Sequence, residues 1–139
     1  MIGVVICAHG NLANELLATA NFITGNAGRM TAVAMDHNVD PASARGVIKD
    51  AILNADEGSG VLVLTDMYGG TPSNICISLQ DELGIEIIAG VNLPMLLKAA
   101  SVQKNSDLQT MSAKVRDYGK ENIILASDFL RKKNAAGEG

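Results

Sequence analysis

A doubly wound α/β domain with a mostly parallel sheet is predicted by two observations. Four short segments, Ile2–Ala8, Thr31–Met35, Val61–Thr65 and Glu86–Val91, are mostly apolar on both faces and bounded by Gly, Asp or Asn. Strands covered by helices on both sides have that appearance. Between and after them, apolar residues recur at helical spacing. An alternation of this kind builds a parallel sheet with right-handed crossovers.

The elements follow in order. After the first strand, Leu12, Leu16, Ala20 and Ile23 form a stripe closed by Gly25. After the second, Asp40 is an N-cap and Pro41 the first helical position, followed by Ala44, Val47, Ile48, Ala51 and Ile52 on one face. Thr71 and Pro72 repeat that start signal after the third strand. Leu93, Leu96, Leu97 and Ala100 make a further stripe, and Leu108, Met111, Val115 and Tyr118 the last. Asn122–Ala126 (NIILA) reads as a fifth strand. The division expected is one domain over residues 1–130 and a flexible polar tail over 131–139.

Composition narrows the function. The chain has 139 residues, 47% of them hydrophobic and only 3% aromatic, so aliphatic side chains must fill one core. No apolar run reaches the ~18 residues of a membrane span, and the first residues lack the basic start of a signal peptide. A net charge of −4 without a basic stripe argues against nucleic acid. Cys7 and Cys76 lie in apolar segments without metal spacing, as buried reduced thiols of a cytoplasmic protein would. Neither a metal nor a cofactor is expected.

In a sheet of order 2-1-3-4, the first and third strands flank the switch point where ligands sit. His9 ends the first strand and Asp66 the third. A lone histidine at a strand end is more often packed than functional. Three neighbours favour function here. Gly10 permits close approach. The following helix, from Asn11, offers free amides and a positive dipole end. Asp66 can hold one ring nitrogen and leave the other nucleophilic.

The stretch TDMYGGTPSN, Thr65 to Asn74, supplies a second helix start. Gly69 and Gly70 turn the loop and expose its amides, and Thr71 is read as the N-cap. An ordinary strand–loop–helix connection would look similar. Beside His9, however, it makes a second anion cradle. One histidine, one carboxylate, one hydroxyl and two helix N-termini suit phosphoryl transfer through phosphohistidine. The candidate catalytic residues are His9, Asp66 and Thr71. Gly10, Asn11, Gly69, Gly70 and Ser73 are the candidate cradle, and Met67 and Tyr68, with Leu12 and Leu93, the docking rim.

Competing motifs are absent. There is no P-loop, no G-x-G-x-x-G after the first strand and no G-x-S-x-G elbow. Ala8 precedes His9 where an R-H-G phosphatase has arginine. His37 reads as a solvated loop side chain. A redox role for Cys7 is outweighed by burial.

Three motifs together, AHG (Ala8–Gly10), TDMYGGTPSN (Thr65–Asn74) and GVNLPML (Gly90–Leu96), closely resemble the mannose-family IIA domains of the bacterial phosphoenolpyruvate-dependent sugar phosphotransferase system. The similarity runs from Ile2 to about Phe129. It implies a phosphotransferase component in which His9 takes a phosphoryl group from HPr and passes it to a IIB component. Asp66 then stands as the orienting carboxylate, and Thr71 where the family has a serine or threonine that helps hold the phosphoryl group. The resemblance also implies a homodimer exchanging a C-terminal antiparallel strand, for which Asn122–Ala126 is the matching stretch. The chain ends nine residues after Leu130, so IIB is expected on a separate chain and membrane contact only through a IIC/IID permease. Such a IIA serves sugar uptake or phosphorylation-dependent regulation. The phosphocarrier subunit of dihydroxyacetone kinase is the nearest rival. A receiver-like, non-catalytic binding module with a packed His9 is the rival from another class.

Overall fold

The computed structural model describes residues 1–36, 38 and 40–137, with the side chain of Ala136 excepted. The elements are β1 (Gly3–His9), α1 (Leu12–Thr24), β2 (Met30–Met35), α2 (Pro41–Ala55), β3 (Val61–Thr65) and α3 (Thr71–Gln80). They continue with β4 (Ile85–Ala89), α4 (Leu93–Val102), α5 (Leu108–Glu121) and α6 (Ala126–Gly137). His37 lies outside the described residues.

The four strands form one parallel sheet in the order β2-β1-β3-β4, as expected. Its two central strands are apolar up to their last residues, His9 and Thr65, because both faces are covered. Val4, Ile6 and Ala8 of β1 and Leu62 and Leu64 of β3 face one layer, made by α1, α4 and α5. Val5 and Cys7, with Val61 and Val63, face the other, made by α2 and α3. In register, Cys7 pairs with Thr65 across β1 and β3, and His9 with Met35 of β2. Strands β1 and β2 therefore finish level, and β1 runs two residues past the end of β3.

Helix α2 starts as expected, with the Asp40 side chain accepting the Ser43 N–H. Helix α1 ends at Gly25 but presents a rotated face. Ala13 and Ala20 are fully buried, Leu16 and Leu17 pack beside them, and Leu12 and Ile23 stay exposed. Small alanines on the centre line let the helix approach the sheet closely, which leucines there would prevent.

Three expectations are corrected. The N-cap of α3 is Gly70, not Thr71, because the Gly70 carbonyl already accepts the Asn74 N–H at 2.9 Å. Thr71 and Pro72 occupy the first two helical positions. Asn122–Ala126 forms no strand within the chain: residues 123–125 have no regular structure, and α6 begins at Ala126. An apolar segment makes a strand only where an edge receives it, and α5 delivers this one to solvent, leaving Ile123, Ile124 and Leu125 exposed. Residues 131–137, expected as frayed tail, continue α6.

Candidate functional site

The topology brings His9 and Asp66 together across 57 residues of sequence. His9 is the last residue of β1, and its ring is half exposed. The Nδ1 atom lies 2.7 Å from Asp66 Oδ2, and the same oxygen accepts the His9 backbone N–H at 3.0 Å. The other carboxylate oxygen accepts the Met67 N–H at 3.0 Å. With only 14% of its side chain exposed, Asp66 is a fixed group with a fixed orientation. Burial pushes the Asp66 carboxyl up, but the ring and backbone hydrogen bonds of His9, with the charge the ring can carry, outweigh it. They hold the group below the usual aspartate value.

A carboxylate accepts and never donates, so Nδ1 carries the proton in this pair, and in the neutral ring Nε2 keeps its lone pair. The Cε1–Nε2 edge of the ring lies against Gly70, the start of α3. There, Thr71 and Ser73 have backbone N–H groups with no acceptor inside the helix, and Pro72 has no N–H at all. A carboxylate thus holds the Nδ1 side of the ring, and the start of α3 lies against its Cε1–Nε2 edge.

The remaining candidates are distributed around this centre. Gly10 adopts φ +58°, a left-handed turn that glycine allows, and its N–H donates to the Met35 carbonyl at 2.8 Å. Asn11 is the N-cap of α1, but its side chain makes no capping bond; it reaches Glu15 and Asn14 instead. Thr71 is exposed at the start of α3. Ser73 differs from the expectation: it is fully buried, and its hydroxyl has no partner among the described residues. Its backbone N–H belongs to the first turn of α3, where the helix supplies no acceptor. Met67, Tyr68 and Leu12 are exposed apolar side chains, whereas Leu93 is half-buried against the core.

Beneath the site, Cys7 and Cys76 are both free and fully buried. The hydrogen bond between them, burial and the nearby Asp66 carboxylate push the Cys7 thiol up, so it stays protonated. The feature that the sequence did not disclose is the contact of Gly70 with the imidazole. Paired glycines before Thr-Pro signal a turn; nothing in them names the ring they touch. Among the described residues, no group of three or more His, Cys, Asp or Glu is placed to hold a metal. No helix there is long and apolar enough to cross a membrane.

Comparison with known proteins agrees with the fold and the motifs. The EIIA-man family model, described as "PTS system fructose IIA component", matches residues 3–116. The PTS system fructose-specific EIIA component of Bacillus subtilis (strain 168) is 27% identical over 139 residues, covering 99% of this chain and 95% of that protein. The PTS system mannose-specific EIIAB component of Escherichia coli (strain K12) is 27% identical over 124 residues, which is 88% of this chain and 38% of that longer protein. The crystal structure of phosphotransferase system component EIIA from Streptococcus agalactiae superposes with a TM-score of 0.83 at 27% identity, over 92% of this chain and 99% of that one. With the family model spanning most of the chain and the sheet order unchanged, this protein belongs to the mannose-family IIA components of the phosphotransferase system.

Proposed function

We propose that residues 1–130 are a phosphoryl carrier domain, with 131–139 as its tail, and that His9 accepts a phosphoryl group from phospho-HPr and passes it to a separate IIB component. The observation that carries this reading is the 2.7 Å contact of Nδ1 with Asp66 Oδ2, which reserves Nε2 for attack. In the forward step the Nε2 lone pair forms a bond to phosphorus as the phosphorus–nitrogen bond of phospho-HPr breaks. The electron pair of that bond returns to the donor's imidazole, which carries a proton on its other ring nitrogen and so leaves as a neutral ring. His9 then carries the phosphoryl group on Nε2 and still donates Nδ1–H to Asp66, so the step needs no net proton. The carboxylate offsets positive charge that develops on the ring as the bond forms. Transfer to IIB is the same step in reverse, with IIB supplying the nucleophile.

The phosphoryl oxygens would meet the amides of Thr71 and Ser73 and the Thr71 hydroxyl at the positive end of α3. The amides at the start of α1, behind Gly10 and Asn11, would complete the cradle. Met67, Tyr68 and Leu12 form an apolar rim suited to brief protein docking. The carrier works in the cytoplasm and meets the membrane only through a IIC/IID permease; no cofactor, metal or nucleic acid enters the step.

A homodimer belongs to this reading. β4 is a free edge of the sheet, and grooves of about 380 and 300 Å³ run beside it, lined by β4 and α5 residues including Ile85, Ile87, Leu108 and Arg116. Ile123, Ile124 and Leu125 of a second copy are the exposed apolar segment suited to add an antiparallel strand there.

The test is intact-mass spectrometry after mixing the chain with Enzyme I, HPr and phosphoenolpyruvate. One acid-labile phosphoryl adduct is expected on the native chain and on His37→Ala, and none on His9→Ala. An unmodified native chain, or an adduct that persists on His9→Ala, would overturn the proposal.

A further inference from the structure

Gly69 and Gly70 are adjacent, yet the structure requires glycine at the two positions for different reasons. Gly69 has φ +85°, a conformation that side chains rarely adopt, but a Cβ there would meet nothing within 4 Å. Gly70 is the reverse case. Its φ of −81° and ψ of 166° are extended backbone open to any residue. A Cβ on Gly70, however, would stand 2.8 Å from His9 Cε1, 3.2 Å from Met67 Cγ and 3.4 Å from His9 Nε2. The backbone does not need glycine at 70. The imidazole does.

The ring has little room to yield. Its Nδ1 is held by Asp66 Oδ2, and that same oxygen holds the backbone N–H of His9. Asp66 is in turn fixed by the Met67 N–H. The imidazole is therefore gripped along its Nδ1 side by a nearly buried carboxylate, and its opposite edge rests on the residue that caps α3. Met67 is an exposed, flexible side chain that can move aside; the tethered ring must move or lose its hydrogen bond.

Resting on the carrier reading of His9, we propose that Gly70 is a positioning residue, whose missing side chain lets the imidazole stay on Asp66 while its Nε2 faces the first amides of α3. A methyl group here leaves the loop conformation allowed but drives the ring off Asp66 or turns Nε2 away from the helix start. Displacements of about 1 Å at a reacting atom lower rates by on the order of 10²-fold.

Gly70→Ala and Gly69→Ala, compared with the native chain, test the proposal by three readouts: thermal midpoint, imidazole proton and nitrogen NMR, and phosphorylation rate with Enzyme I and HPr. For Gly70→Ala we expect a midpoint at or near the native one, since alanine restricts only the unfolded chain at an allowed φ. Its His9 ring signals should shift away from the native Nδ1–H pattern, and phosphorylation should slow by on the order of 10²-fold. Gly69→Ala should lower the midpoint through backbone strain and leave the folded protein's ring signals native. Native ring signals in Gly70→Ala, or a rate within about twofold of native, would overturn the positioning role. A midpoint lower than that of Gly69→Ala would do the same, by showing that the methyl strains the backbone rather than the ring. If the native chain takes no phosphoryl group, the carrier reading fails, while the ring signals still decide the packing claim.

Discussion

One oxygen of Asp66 holds both the backbone and the ring of His9. The Oδ2 atom accepts the His9 N–H at 3.0 Å and the Nδ1 proton at 2.7 Å. A single carboxylate thus joins the end of β1 to the end of β3 and fixes which ring nitrogen stays free. In Asp66→Asn the amide keeps the shape, loses the negative charge and can offer Nδ1 the wrong polarity. Phosphorylation of His9 is expected to slow by on the order of 10²–10⁴-fold, the range typical of a positioned acid–base group, with little change in circular dichroism. An unchanged transfer rate from phospho-HPr would remove Asp66 from the mechanism.

The same bond makes a pH prediction. The Asp66 pKa is lower folded than unfolded, where it is near 3.8. Fewer protons bind the folded state, so the resulting stability is present above pH 3.8 and is lost as pH falls through the folded value. The native chain should therefore lose more of its thermal midpoint between pH 6 and pH 3 than Asp66→Asn does. Equal losses in the two proteins would show that this carboxylate is not linked to folding.

The sheet was legible because β1 and β3 are covered on both faces, which leaves continuous apolar runs such as Val4–Ala8. The order of strands then sufficed to set His9 opposite Asp66. The cap of α3 was less legible, since Thr71-Pro72 carries the usual start signal and only the backbone hydrogen bond from the Asn74 N–H to the Gly70 carbonyl reveals the earlier cap. The inward face of α1 was misjudged for a related reason: hydrophobicity ranks leucine above alanine, but close packing on the sheet favours Ala13 and Ala20. Asn122–Ala126 has strand-like residues and no edge within its own chain. Local sequence cannot supply that partner.

Gln103 was illegible for a different reason: a polar residue at a helix end gives no sign of burial. It is 2% exposed. Its Nε2 donates to the carbonyls of Ile2 at 2.8 Å and Arg29 at 2.7 Å, and its Oε1 accepts the Arg29 N–H at 3.2 Å. One amide therefore ties the end of α4 to the starts of β1 and β2. Gln103→Ala removes these side-chain partners, leaving the Arg29 carbonyl only the Val4 N–H, and opens a void, which should destabilise the fold by about 2–4 kcal/mol. Urea denaturation at neutral pH measures it. Phosphorylation of His9, at the opposite end of the strands, should be nearly unchanged in the folded fraction. A loss below about 0.5 kcal/mol would mean that water or a neighbour replaces the amide.

The C-terminal segment carries the last prediction. Ile123, Ile124 and Leu125 are 75%, 54% and 65% exposed, and Phe129 and Leu130 of α6 are 53% and 55% exposed. Five large apolar side chains in eight residues are an unusual load for one short surface stretch. The β4 edge offers unpaired backbone groups and flanking grooves, so exchange between two copies would satisfy both surfaces at once. Light scattering on the native chain at micromolar concentration should return twice the 14.5 kDa chain mass. Deleting residues after Lys120 should yield a monomer, and Ile124→Asp should weaken the dimer by placing a charge in an apolar contact. His9 should remain phosphorylatable in both, because its ring, Asp66 and Gly70 all come from one chain. A native protein that runs as a monomer, or a dimer unaffected by the deletion, would remove strand exchange as the use of this segment.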